Sequence, residues 1–191
     1  MPNFGVRTYL VLMYNKIMKK SFVCIITGPS GTGKTTIAEL LAKEYERSAV
    51  INVDSFYKMI VGGHVKQHPW SEKSAEQANL IEEQVMQVAD NFLKNRFNIF
   101  VDQVVGEKLI NKYKEHFQSY EFVTFLLFPN KEVLKERSIK KGKPYLEKLS
   151  EEFYEIFNNK KDKMDCEVID TTFLTAEETV NILKNKLNGL G

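Results

Sequence analysis

The sequence of 191 residues predicts a three-layer α/β domain, a parallel β-sheet with helices on both faces. Three observations predict it. Short apolar runs rich in β-branched residues alternate with segments of helical spacing along most of the chain. Within a run the apolar residues follow one another, as they do in strands covered on both faces. A glycine-rich loop and two aspartates, Asp54 and Asp102, fall where three of the runs end. In open α/β sheets that edge is where ligands bind.

The elements follow in order. Phe22–Thr27 (FVCIIT) is the first strand, and Gly28–Gly33 is a loop by composition. Lys34–Arg47 has helical spacing, with Ile37, Leu40, Leu41 and Tyr45 on one face. Ala49–Val53 is a second strand, ended by Asp54. Ser55–Lys73 is irregular and holds Gly62, Gly63, Pro69 and several aromatic residues. Ser74–Arg96 reads as a long helix, Asn98–Val101 as a third strand ended by Asp102, and Glu107–Gln118 as a helix. Glu121–Phe128 is a fourth strand, closed by Pro129 and Asn130. Lys131–Lys140 and Glu147–Lys161 are helical, separated by the Lys/Gly/Pro segment Lys140–Tyr145. Glu167–Ile169 is the last strand. Thr175–Leu187 is the closing helix, capped by Thr175 with Glu178 three residues on, a capping box.

A chain of this length builds one sizeable core, so a single domain is expected over residues 21–191. Residues 1–20 are read as an N-terminal extension. There Tyr9–Tyr14 is apolar and Lys16, Lys19 and Lys20 follow it, the reverse of a secretory signal. The stretch is also too short to span a bilayer. The net charge of +2, without long blocks of one sign, argues against a nucleic-acid partner, and no membrane partner is expected. Cys24 and Cys166 each sit in an apolar run and read as small buried strand residues, with no disulfide framework or zinc pattern. A cytoplasmic location fits that usage, and a monomer or a homodimer fits the size.

Gly28-Pro29-Ser30-Gly31-Thr32-Gly33-Lys34-Thr35 fits G-x-x-x-x-G-K-[ST], directly after a strand and opening a helix. Glycines permit turns that point successive N–H groups inward, making a concavity for an anion. The helix beginning there adds its positive end. Lys34 can reach the β- and γ-phosphates of ATP or GTP, and the Thr35 hydroxyl can ligate Mg2+. Thr36 is either a further phosphate contact or a surface hydroxyl. Asp54 is placed to accept the proton of an attacking hydroxyl, or to cap the helix that follows.

The GPSGTGKTT loop together with VDSF at the second strand resembles the small P-loop kinases, nearest the chloramphenicol phosphotransferase-like branch, also described as an AAA-type family of small ATPases. The resemblance covers Phe22 to the C-terminus. It implies a three-layer P-loop NTPase fold, nucleoside/shikimate-kinase-like, with five parallel strands in the order 2-3-1-4-5. It implies magnesium-dependent use of ATP, with Asp54 as the base acting on a substrate hydroxyl. By the same resemblance Asp102 holds magnesium through water or holds substrate, and Arg137 lies against the adenine ring. A mobile lid falls at Lys140, Lys141 and Lys143, which here has lysines and no arginine. Asp170-Thr171-Thr172 and Leu174 resemble the segment that borders the adenine. No Asn/Thr-Lys-x-Asp run for reading guanine is present.

The acceptor is expected against Ser55–Lys73, where Tyr57 and Trp70 offer an apolar body with a polar edge. Trp70 reads equally as a packing anchor for the next helix. His64 and His68 stand four apart, but Pro69 and the glycines speak against an ordered metal site. The expected activity is transfer of the γ-phosphoryl group of Mg-ATP to a hydroxyl of a small molecule, with Lys34 and Asp54 catalytic. Two rivals stay open: a kinase for nucleotides or nucleic-acid ends, and an ATP-binding regulatory ATPase that transfers nothing.

Overall fold

A computed structural model describes residues 21–67, 69–140 and 144–189, giving the backbone alone for residues 144–150. The expected N-terminal extension, His68, and Lys141 and Lys143 of the expected lid lie outside the described residues. Five strands, β1 (Phe22–Thr27), β2 (Ser48–Asn52), β3 (Asn98–Asp102), β4 (Glu121–Leu127) and β5 (Glu167–Ile169), form one sheet. It is parallel throughout, in the order β2-β3-β1-β4-β5. Seven helices are described: α1 (Lys34–Ala42), α2 (Val53–Lys58), α3 (Glu72–Lys94), α4 (Glu107–His116), α5 (Lys131–Lys140), α6 (Pro144–Lys160) and α7 (Ala176–Asn188). None is long and apolar enough to cross a membrane.

The pleat of β1 divides the core into its two layers. Val23 and Ile25 join the cluster under α3 and α4, while Cys24 and Ile26 join the one under α1 and α7. All four are fully buried. Each such side chain stabilises the fold by roughly 1.5–3 kcal/mol relative to exposure, which explains why the central strand is apolar without interruption. Register then aligns the carboxyl ends: Asn52 pairs with Asp102, and Asp102 with Ile26. Whatever follows those three residues emerges at one rim.

The structure corrects several boundaries. α1 stops at Ala42 rather than Arg47. The Ser48 hydroxyl donates to the Ala42 carbonyl at 2.7 Å and the chain turns back, with Tyr45 N–H on the same carbonyl. Tyr45 instead packs edge-on to Phe22 and beside Phe100, and Arg47 lies over the Phe97 ring. β2 ends at Asn52, so Val53 is helical and Asp54 sits in the first turn of α2. The cap of α2 is Asn52, not Asp54. α3 starts at Glu72, two residues earlier than its periodicity predicts, because Ser71 and Ser74 form a reciprocal cap at 3.2 and 2.6 Å. α6 starts at Pro144, where a missing N–H costs nothing. Cys166 precedes β5 and is only half-buried, since β5 is an edge strand with Ile169 alone inside. The Thr175–Glu178 capping box is present.

The irregular segment between α2 and α3 is bracketed by one side chain. The Gln77 amide donates to the Gly63 carbonyl at 2.6 Å and accepts from Val65 N–H at 2.9 Å.

Candidate active site

Residues 28–33 turn between β1 and α1 as the glycines allow. Gly28, Gly31 and Gly33 have φ of 139°, 96° and 97°, in the region other residues avoid. At Gly28 a Cβ would stand 2.4 Å from the Leu127 carbonyl oxygen. Gly33 caps α1 without a side chain, and no acidic residue occupies the first turn. The N–H groups of that turn therefore meet no acidic side chain of the turn itself, which suits an external anion. Lys34 spans the loop mouth, its ammonium donating to the carbonyls of Gly28 at 3.0 Å and Pro29 at 3.1 Å.

Thr35 and Asp102 meet at this mouth, the Thr35 hydroxyl donating to Asp102 Oδ2 at 2.6 Å. The Asn52 amide donates to the same oxygen at 2.8 Å. Asp102 is only 7% exposed. Burial holds its carboxyl above the usual aspartate range and Asp54 adds to the shift, against the lowering effect of Thr35, Lys34 and Asn52. A hydroxyl beside a buried carboxylate is an all-oxygen donor pair, which fits a hard cation such as Mg2+. Among the described residues no cluster of three or more His, Cys, Asp or Glu could hold a metal by itself.

The raised pKa has a stability consequence. An acid whose folded pKa is raised stabilises the fold when protonated, and that contribution is lost as pH rises through the folded value. Above that value the ligand-free protein bears a buried charge. Both hydrogen bonds land on Oδ2, so an amide oxygen placed there keeps them. Asp102→Asn is expected to raise the melting temperature of the ligand-free protein at neutral pH and to abolish any stabilisation by Mg2+ with nucleotide. Differential scanning fluorimetry at pH 5 and 7.5 checks both.

Asp54 is exposed at the same rim. Tyr57, one turn along α2, is half-buried, its phenol pushed up to about 12 by burial and then by the carboxylates of Glu82 and Asp54. Glu82 of α3 is paired with Lys112 of α4 at 2.6 Å. Gln103, the residue after Asp102, accepts from the buried Tyr113 hydroxyl at 2.7 Å. Trp70 does not join this group: it is 65% exposed just before α3, with no ring contact among the described residues.

Across the loop lies a cavity of about 220 Å3 lined by Thr32, Thr36, Arg137, Thr171, Leu174 and Thr179, among others. Arg137 donates to the Thr171 carbonyl at 2.9 Å and to its hydroxyl at 3.3 Å. The structure thus brings together the loop, Thr36, Asp102, Asp54, Tyr57 and Arg137. Asn52 and Gln103 were not legible as site residues. Asn52 follows from strand register, since it pairs with Asp102, and Gln103 from its place after the strand-end aspartate.

Comparison with known proteins bears on the family and the fold. The sequence profile of the AAA domain family matches residues 23–157, more than half of the chain. Among curated proteins nothing matches. Many solved structures are similar, among them the following three. The tunicamycin resistance protein of Deinococcus radiodurans has a TM-score of 0.65 at 16% identity, over 87% of this chain and 95% of that one. Shikimate kinase from Acinetobacter baumannii, solved with shikimate, has 0.61 at 18%, over 92% and 97%. A sugar kinase from Janibacter sp. HTCC2649 has 0.62 at 16%, over 88% and 95%. At these identities the likeness concerns the fold. The chain belongs to the AAA domain family and has the fold of the small P-loop kinases.

Proposed function

We propose that this protein is an ATP-dependent phosphotransferase that moves the γ-phosphoryl group of Mg-ATP to a hydroxyl of a small molecule. The contact of Thr35 with Asp102 at 2.6 Å carries the reading. That hydroxyl–carboxylate pair lies at the mouth of the glycine loop, beside Lys34 and within the electrostatic reach of Asp54, which supports cation and phosphate binding there. The similar folds named for kinases act on a small molecule, shikimate in one case and a sugar in another, and their likeness supports the same class here.

In this reading the loop N–H groups and Lys34 hold the triphosphate. The adenine lies in the cavity beside Arg137, whose hydrogen bonds to Thr171 fix the plane of its guanidinium. Mg2+, held by Thr35 and through water by Asp102, would neutralise charge on the phosphate oxygens. The acceptor oxygen bonds to the γ-phosphorus as the bond from that phosphorus to the bridging oxygen breaks. ADP departs and the hydroxyl proton passes to Asp54. The remaining contribution is positioning.

The test is calorimetric titration with Mg-ATP and Mg-GTP, followed by a screen of hydroxyl compounds for ADP release. Expected are saturable binding of Mg-ATP and acceptor-dependent ADP release above the water background. No association with either nucleotide would refute the reading.

A further inference from the structure

We propose that the acceptor is a neutral or aminated polyol, one that brings no phosphate or carboxylate into the site, recognised by Asp54, Tyr57 and Gln103. The inference rests on the phosphotransferase reading and narrows it to a chemical class.

The charges around the acceptor side carry the argument. Asp54 is exposed and makes no ion pair among the described residues. The nearest cation along its helix is Lys58, exposed and four residues on, a spacing at which the lysine is drawn toward the aspartate. Glu82 and Lys112 pair at 2.6 Å, so neither charge is left free for a ligand. Among the described residues the arginines stand elsewhere. Arg47 lies over Phe97 and donates to the Asn95 carbonyl, at the amino-terminal end of the sheet. Arg96 follows α3 at that same end, and Arg137 is engaged with Thr171 on the nucleotide side. On the acceptor side an incoming carboxylate or phosphate would meet the Asp54 carboxylate and the mutually neutralised Glu82–Lys112 pair, with Lys58 as the cation on the same helix and Lys34 taken up at the glycine loop. Neither lysine has the fixed planar fork that holds an anion bidentately.

The neutral groups complete the picture. Tyr113 is buried and donates to Gln103 Oε1, so the part of that amide left to a ligand is its NH2. The Gln103 backbone is fixed by its own bond to the Ile26 carbonyl at 3.3 Å. Tyr57, half-buried one turn from Asp54, carries a phenol proton at neutral pH as any tyrosine does. The acceptor thus finds two neutral donors, Gln103 and Tyr57, for hydroxyl or carbonyl oxygens. It finds one carboxylate, Asp54, for a hydroxyl or ammonium hydrogen. That set suits a polyol and tolerates an amine.

The charge argument is tested apart from the nucleotide. In a Cys166→Ser background, Ser55→Cys puts a thiol beside Asp54, and the remaining Cys24 is buried. Its reaction rates with cationic and anionic methanethiosulfonates of matched size are compared with those of a free thiol. A cationic preference of about tenfold or more, shrinking at high salt and on adding Asp54→Asn, is expected. Equal rates or an anionic preference would overturn the proposal. With Mg-ATP present, ADP release is then compared for matched pairs: a sugar with its phosphate and its uronic acid, a nucleoside with its monophosphate, and an aminocyclitol. The neutral or aminated member should have a kcat/KM about tenfold higher or more, equivalent to roughly 1.4 kcal/mol. Equal or better use of the anionic member would overturn the proposal while leaving phosphotransfer intact. Loss of Mg-ATP binding refutes phosphotransfer and not the charge measurement.

Discussion

Lys34→Ala is expected to lose detectable Mg-ATP binding at concentrations that saturate the parent protein, and to turn over roughly 100- to 1,000-fold more slowly where binding is forced. The Lys34 ammonium crosses the loop mouth between the carbonyls of Gly28 and Pro29, within 3.1 Å of both. A triphosphate entering the loop takes over that charge. A cation placed in advance against the oxygens where negative charge grows needs no rearrangement as the bond breaks, and so it stabilises the transition state more than the ground state. Calorimetry reads the binding, and ADP release at high Mg-ATP reads the turnover. A melting temperature close to the parent's separates this effect from loss of the loop. Parent-like binding by the variant would remove Lys34 from the phosphate site.

Asp54→Asn should give the opposite split. Mg-ATP affinity is expected to stay within about twofold of the parent, while acceptor-dependent ADP release falls roughly 100- to 10,000-fold, the range for losing a general base. Asp54 is exposed in the first turn of α2 and makes no hydrogen bond to the phosphate loop. An amide there disturbs neither the loop nor the core. It cannot take a proton from the acceptor. Unchanged turnover would show that the base is another group, and proportional loss of binding and turnover would make Asp54 part of the nucleotide site.

Much of this was legible in the sequence, for reasons that differ by element. Residues 28–35 declare themselves because the requirement is local: glycines where φ is positive, then a lysine and a hydroxyl as the helix begins. The sheet was legible because strands buried on both faces leave uninterrupted apolar runs, as in residues 22–27. The end of α1 was not legible. Helical spacing continues to Tyr45, but the Ser48 hydroxyl competes for the Ala42 carbonyl, and only the fold brings it there. The meeting of Thr35 with Asp102 spans 67 positions and depends on strand register, to which a single sequence gives no access. The same holds for Tyr113, whose hydrogen bond to Gln103 joins a buried helix residue to the rim. Asp54 was placed at the correct rim but on the wrong element. Valine before it reads as strand, whereas the chain uses it as the first buried residue of α2.

The Gln77 bracket has a wider consequence. Residues 59–67 follow α2, with Ile60 packed against the core, and the bracket fastens the stretch through backbone atoms of Gly63 and Val65. No side chain of the segment is demanded by that attachment. Substitutions, insertions or a changed contour at residues 61–67 leave the strands, the glycine turns and the Thr35–Asp102 contact as they are. On the phosphotransferase reading, descent with modification could therefore recut this one wall for a new acceptor while keeping the glycine loop and strand-end residues unaltered.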